Sequence, residues 1–403
     1  MHNTLVTPGT RMTRRELFRR SAAGAWIAWA MADRSARAFA SVSPVPRVAV
    51  IDITDLYHPP QDPGDNMDLI AAYALPEVDL KAVILDVTNR YRRPYANPDD
   101  PRYDDPAGAR DPGFIPVWQL NALFNREIPC ATGPFEAMRH PEDAMTDAPA
   151  FQQQGVNLLI RVLQASSEPV DVVSFGSARP LAVAWNRAPE LLREKIRRVH
   201  LCAGSSPAGF LEWNVQLDPH AFVRVLQSDL PVAIYPCATE HSAFDLGPNN
   251  TYWLLSNLAV IRDMDPALRR YLVFAFARTI RVDFLAAMEE DPPEEAVDRV
   301  ARMPHNVWET AVWMEVTGRK LVRKADGRHR ILTPAEIGPE DSVQSGGLIP
   351  CDVEVRPDGQ FDWHAAPESS RRWIYFRSDP QTQQKALNEA LPALYAAFRV
   401  TPT

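Results

Sequence analysis

Arg47-Val-Ala-Val-Ile-Asp52 is a β-branched run that ends in an acid. Residues 65–75 follow, with Leu69, Ile70 and Tyr73 at helical spacing, and then the apolar run of residues 80–87. A buried strand, a helix with acids in its first turn and a second buried strand make a βαβ unit, which implies a parallel sheet. The alternation continues downstream. Residues 151–166 read as helix, 170–175 as strand, 181–197 as mostly helix, 199–203 as strand, 219–228 as helix and 231–237 as strand. Continuous apolar strands such as Val170-Asp-Val-Val and Val232-Ala-Ile-Tyr suit a sheet covered on both faces. Residues 250–318 carry a helical period. Residues 351–355, 361–364 and 373–377 read as strands of a β-rich segment, and 381–398 as a closing amphipathic helix. Residues 90–116, rich in Pro, Asp, Arg and Tyr, break the pattern and read as a long ordered insertion or lid. The expected fold is α/β: a Rossmann-like, mostly parallel sheet with helices on both faces, in a single large domain over residues 41–403.

The 403 residues carry a formal net charge of −8, but the first 40 distort that figure. They hold seven Arg against Glu16 and Asp33, which leaves 36 basic and 49 acidic residues over 41–403, a net −13. An acidic body excludes a nucleic-acid-binding protein with a broad basic face. Thr13-Arg14-Arg15-Glu16-Leu17-Phe18 is a twin-arginine pattern. An apolar stretch over residues 22–32 follows, and Ala38-Phe39-Ala40 offers small residues before a cleavage point. The stretch is shorter than the ~20 apolar residues that span a bilayer. The three regions in order predict an export signal over residues 1–40, a mature chain starting near Ser41, and a periplasmic or extracellular location. No later segment is apolar enough to hold the chain in a membrane. Pro (37) outnumbers Gly (17), which predicts stiff, ordered loops. Cys130, Cys202, Cys237 and Cys351 form no CxxC pair, so a zinc site has no support, and Cys202 and Cys237 read as buried free thiols.

Ligands of such sheets bind outside the carboxyl ends of the strands. Asp52 and Asp55 lie at the end of the first strand, and Asp62, Asp65 and Asp68 follow in the loop and helix start. Five carboxylates this close repel one another, and a hard cation such as Ca²⁺ with oxygen ligands relieves that repulsion. The blander reading is helix capping by Asp65 beside solvated loop acids. His200, inside a strand, reads as a satisfied core histidine, and Trp308 and Trp313 as core packing. Ser205-Ser206 lacks the glycines of a nucleophile elbow, and no Gly-rich phosphate loop is present.

Asp62-Pro63-Gly64-Asp65-Asn66-Met67-Asp68 resembles the opening motif of the inosine-uridine-preferring nucleoside hydrolase family, in which a strand runs into Asp-x-Asp-Pro-Gly-x-Asp-Asp. Pro76-Glu77-Val78-Asp79-Leu80-Lys81-Ala82-Val83 is similar to that family's second-strand entry. Ser174-Phe175-Gly176 stands where the family has its calcium-holding loop, and Glu212-Trp213-Asn214 followed by Asp218-Pro219 resembles its Glu-Phe-Asn segment. Pro304-His305-Asn306 resembles its late His-Asp pair. The resemblance covers residues 47–398 and implies a nucleoside-hydrolase-like domain that cleaves N-glycosidic bonds of nucleosides or related N-ribosides. It implies Asp62 as the base and His305 as the proton donor. Asn89, Glu212, Trp213 and Asn214 would hold the substrate, and Ca²⁺ would be held by Asp55, Asp62, Asp65, Asp68, the Phe175 carbonyl and Asn306. Base and metal roles stay exchangeable among Asp55, Asp62, Asp65 and Asp68. Asn306 replaces the family's metal-binding Asp, Leu69 follows Asp68 where the family has paired acids, and the Leu56-to-Gln61 loop has no counterpart. These departures leave two alternatives open: a ribose- or nucleoside-binding protein on the same scaffold, and a hydrolase of another sugar conjugate. The resemblance also suggests assembly into dimers or tetramers.

Overall fold

The computed structural model describes residues 47–89, 110–344, 346–368 and 371–400. The expected export signal and most of the insertion at 90–116 lie outside the described residues. The first βαβ unit forms as the sequence predicts, from β1 (Val48–Thr54), α1 (Gly64–Ala74) and β2 (Val78–Leu85). Then come α2 (Phe114–Phe124), β3 (Cys130–Thr132), α3 (Gln154–Ala165) and β4 (Val170–Ser174). The chain continues through α4 (Arg179–Arg187), α5 (Pro189–Lys195), β5 (Ile196–Cys202), α6 (Trp213–Leu217), α7 (Pro219–Gln227) and β6 (Val232–Tyr235).

The stretch read as helical contains two short strands as well, β7 (Trp253–Leu255) and β8 (His305–Val307), which pair as an antiparallel ribbon. Helices α8 (Pro266–Phe276) and α9 (Glu294–Ala301) lie between them in sequence, and α10 (Thr310–Thr317) follows. Strands of three residues surrounded by helices leave no period-2 signal to read. A small three-stranded sheet, β9 (Lys320–Arg323), β10 (His329–Leu332) and β11 (Ser342–Val343), was not legible for the same reason. The β-rich segment supplies β12 (Gly346–Val355), β13 (Phe361–Ala365) and β14 (Arg372–Arg377), and α11 (Pro380–Ala397) closes the chain.

These last strands extend the main sheet, whose order is β13-β12-β14-β6-β5-β4-β1-β2-β3. From β14 to β3 every neighbouring pair is parallel, and β12 and β13 add an antiparallel edge. Both faces are covered. Val50, Val83 and Val173 point into one apolar cluster, and Ile51, Ile53 and Val172 into another on the opposite face. The chain winds from β1 outward through β2 and β3, and then returns to β1's other side through β4, β5 and β6. The carboxyl ends of β1 and β4 therefore mark the switch point at which such sheets bind ligands.

The β4–β5 pair is pinned by charge. Asp171 is buried on β4 and accepts both arms of Arg197 at 2.7 and 2.6 Å, while His200 on β5 approaches it at 3.1 Å and turns its other nitrogen to Tyr235 at 2.9 Å. His200 is thus the satisfied core histidine expected from its position in a strand. Burial raises the Asp171 carboxyl, but the Arg197 fork and His200 outweigh it and hold the group below its ordinary 3.8. A depressed carboxyl contributes stability that is present above its unfolded value and lost as pH falls through its folded one. Asp171→Asn is therefore expected to cost about 1–2 kcal/mol at pH 7, an exposed Arg197 head screening part of the pair. Denaturant unfolding at pH 7 and again below pH 3.8 should show that difference shrinking with acidification.

Candidate active site

The strand ends open onto a cavity of about 480 Å³. Two other cavities of about 20 and 40 Å³ hold little more than a water molecule each. Asp55 reaches the cavity from the end of β1, Phe175 from the end of β4 and Cys237 from just beyond β6. Gln61, Asp62 and Asp65 come from the loop and first turn of α1, Glu212, Trp213 and Asn214 from the start of α6, and His305 and Asn306 from β8. Nine residues singled out from the sequence thus share one wall-to-wall space. Asn89 does not line it: its amide donates to Glu136 at 2.6 Å. Asp68 lies behind the lining, one helical turn from Asp65, and joins the site from there.

Carboxyl oxygens of Asp65, Asp68 and Glu309 fall within 4.8 Å of one another. Glu309, directly ahead of α10, was missing from the sequence reading, which placed the late ligand at Asn306. The Asn306 side-chain oxygen instead accepts the Tyr252 hydroxyl at 3.0 Å, on the β7–β8 ribbon. The acid that joins the cluster stands three residues later. Its signal in the sequence was an acid immediately before the apolar helix Thr310–Thr317.

Burial first, and then neighbouring acids, push the carboxyls of Asp55, Asp65 and Asp68 well above their usual range. Glu309 is raised as well, and Asp52 rises to about 8. The Asp68 and Glu309 side chains lie close enough for each to shift the other's carboxyl. No Lys or Arg lines the cavity among the described residues. Asp52 and Asp86 each bury a carboxylate oxygen with no hydrogen-bond partner. Crowded hard-oxygen donors without a compensating charge are the donor set of a hard divalent cation. The residues present fit such an ion.

The remaining wall is built by local hydrogen bonds. Glu212 caps α6, accepting the backbone N–H groups of Gly204 at 2.8 Å, Asn214 at 3.0 Å and Val215 at 3.4 Å, and burial outweighs these to leave its carboxyl at about 7. Asn214, which lines the cavity, donates to the Cys202 carbonyl at 2.9 Å and grazes that of Phe175 at 3.5 Å. Trp308 belongs to the cavity wall, contrary to its reading as core packing. Its indole N–H holds the Cys237 carbonyl at 2.9 Å, and its ring meets Tyr252 and Phe244. Trp313 does pack in the core, against Phe175.

His305 is buried with its ring edge-on to Phe276 at 5.4 Å. Burial lowers its pKa despite the nearby Asp62, so the ring is neutral at pH 7. Gly64 makes room for it, since a Cβ there would come within 2.5 Å of His305 Nε2. Asp62 in turn accepts the Gly64 N–H at 2.8 Å, which fixes its carboxylate beside the helix start. Gly64→Ala should cost about 1–3 kcal/mol by overpacking. The same substitution in a His305→Ala background should cost little. Equal losses in both backgrounds, measured by chemical unfolding, would show that the imidazole is not what the glycine accommodates.

Comparison with known proteins agrees with this geometry. A profile of the family described as inosine-uridine preferring nucleoside hydrolase matches residues 116–325, just over half of the chain. The pyrimidine-specific ribonucleoside hydrolase RihA of Escherichia coli O127:H6 (strain E2348/69 / EPEC) is 29% identical over 205 residues, covering 45% of this chain and 60% of that protein. Its namesake from Enterobacter sp. (strain 638) is 32% identical over 206 residues, covering 45% and 59%. The chain thus spans about 60% of the length of these curated relatives. Among solved structures, the plant nucleoside hydrolase PpNRh1 superposes with a TM-score of 0.51 at 16% identity, over 86% of this chain and 100% of that one, which establishes a shared fold. With the profile covering more than half its length, the chain belongs to the inosine-uridine preferring nucleoside hydrolase family.

Proposed function

We propose that the cavity is the active site of a metal-dependent hydrolase that cleaves the N-glycosidic bond of unphosphorylated nucleosides or related N-ribosides. The observation that carries this reading is the convergence of Asp55, Asp62, Asp65 and Glu309, with Asp68 behind them, on one cavity at the switch point. Ca²⁺ is the proposed ion, held by Asp65, Asp68 and Glu309 with oxygen donors from Asp55 and Phe175. When bound, such an ion lowers the pKa of water and grips vicinal ribose hydroxyls. Asp62, oriented by the Gly64 N–H, accepts the proton of the attacking water. The surrounding carboxylates favour the positive charge that develops on the sugar as the bond breaks. Asn214 accepts or donates at a sugar hydroxyl, and Trp213 and Trp308 give the departing base flat apolar faces. His305, neutral and close to Asp62, offers a hydrogen bond to the leaving base.

The lack of lining Lys and Arg supports neutral substrates over phosphorylated ones, whose charge would meet only acids. The names of the curated relatives support pyrimidine ribonucleosides as the first substrates to try. The basic twin-arginine pattern of residues 1–40 supports export by that route, testable by fusing those residues to a reporter.

Ribose release from uridine and inosine is the direct assay. Turnover is expected with Ca²⁺, none after chelation, and none on uridine 5′-monophosphate. Asp62→Asn should lower kcat by about 10²–10⁴-fold. Saturable nucleoside binding without turnover on any N-riboside would leave a binding protein in place of an enzyme.

A further inference from the structure

The parallel register that aligns β1 with β2 also sets two carboxylates side by side. Thr54 pairs with Leu85, and the Asp86 N–H donates to the Thr54 carbonyl at 2.9 Å, so Asp86 ends β2 directly beside Asp55 at the end of β1. Like charges opposite one another on neighbouring strands destabilise a sheet. Asp86 is nonetheless 1% exposed, and one of its two carboxylate oxygens has no hydrogen-bond partner.

The other oxygen reaches across β1. Ser177, in the turn after β4, donates its N–H to Asp86 Oδ2 at 2.5 Å. The Phe175 N–H donates back to the Ile53 carbonyl at 2.8 Å, so both ends of the Phe175–Ser177 turn are fastened to the strands beside it. Gly176 between them leaves space that a Cβ would fill, since it would collide with the same Asp86 oxygen. The turn therefore needs both the acid at 86 and the glycine at 176, and it carries Phe175, which lines the cavity. Among the described residues no cation answers the acid. Arg179, the buried guanidinium just beyond the turn, is committed to Asp218 at 2.7 Å and to the carbonyls of Val87, Pro134 and Leu217.

A buried carboxylate with one oxygen fastened to a backbone N–H and the other unsatisfied, beside a cavity-lining acid, has the form of a group that serves a cation through its neighbours. We propose that Asp86 is a positioning residue for the cation site: it fixes the turn that presents the Phe175 carbonyl and adds its negative charge to that of Asp55. This inference rests on the cation reading of the cavity given above. It accounts for an acid that the fold would otherwise be better without. Replacing it by the neutral isostere should relieve repulsion in the metal-free protein while weakening its hold on the ion.

The test is calorimetric titration of the full chain with Ca²⁺, combined with thermal unfolding in chelator. Asp86→Asn keeps an acceptor for Ser177 and removes the charge. The expected result is a Ca²⁺ affinity at least tenfold weaker, with the melting temperature in chelator unchanged or higher. A smaller loss of affinity overturns the proposal. So does a lower melting temperature in chelator, which would mark a purely structural anchor. Gly176→Ala is the second variant. It displaces the carboxylate without removing it and should also weaken Ca²⁺ at least tenfold, an unchanged affinity counting against the proposal. If the unsubstituted protein binds no Ca²⁺ at all, the cation reading itself fails. If it binds Ca²⁺ and both variants match it, only the role of Asp86 fails.

Discussion

Repulsion among carboxylates at the carboxyl ends of β1 and β2 is the constraint around which the rest of this molecule is arranged. Asp52, Asp55 and Asp86 sit on two adjacent parallel strands, and α1 and the approach to α10 bring Asp65, Asp68 and Glu309 to the same end of the sheet. A fold selected for stability alone would not gather acids here, since each loses hydration on burial and gains no basic partner among the described residues. The surrounding structure holds them in place by other means. The aliphatic cores on both faces of the sheet, Arg179 knotted to Asp218, and the Glu212 cap of α6 together fix the geometry. Strain of this kind is characteristic of a site whose proper occupant supplies what the chain withholds.

The same principle explains how the cavity is divided. One side is acidic and formed by strand ends and helix starts. The other is aromatic: Trp213 at the start of α6, Phe244 and Trp308 from loops, and Phe276 at the end of α8 against His305. A small molecule with a polyhydroxylated end and a flat apolar end matches both sides at once. Neither side resembles the basic groove of a polymer-binding protein, in keeping with the acidic balance of residues 41–403.

Much of this was legible in the sequence, for physical reasons that also mark where legibility ended. The βαβ opening was clear because β1, α1 and β2 each carry their own period. Clustering of Asp55, Asp62 and Asp65 followed from their placement at a strand end. Glu309 escaped because its partners lie some 240 positions upstream, and nothing local distinguishes it from an ordinary acid at a helix start. Asn306 matches the family motif where Glu309 does not; it lines the same cavity, and its side-chain oxygen accepts the Tyr252 hydroxyl. Asn89 turned outward to Glu136 for a similar reason: spacing after a strand does not say which way a loop side chain faces. Trp308 looked like core because an aromatic residue near an apolar helix usually is.

The seam between β6 and β14 has a consequence for how the molecule is made. Residues 232–234 lie against residues 372–374, so β6 lacks its parallel neighbour on that side until 140 further residues have been synthesised. During translation β6 stands as an exposed apolar edge beside a half-finished core, open to pairing with other chains. Long separation in sequence also makes that last contact slow to form. A nascent chain of this design keeps that edge open until β14 is in place, and a variant lacking β14 would expose it permanently.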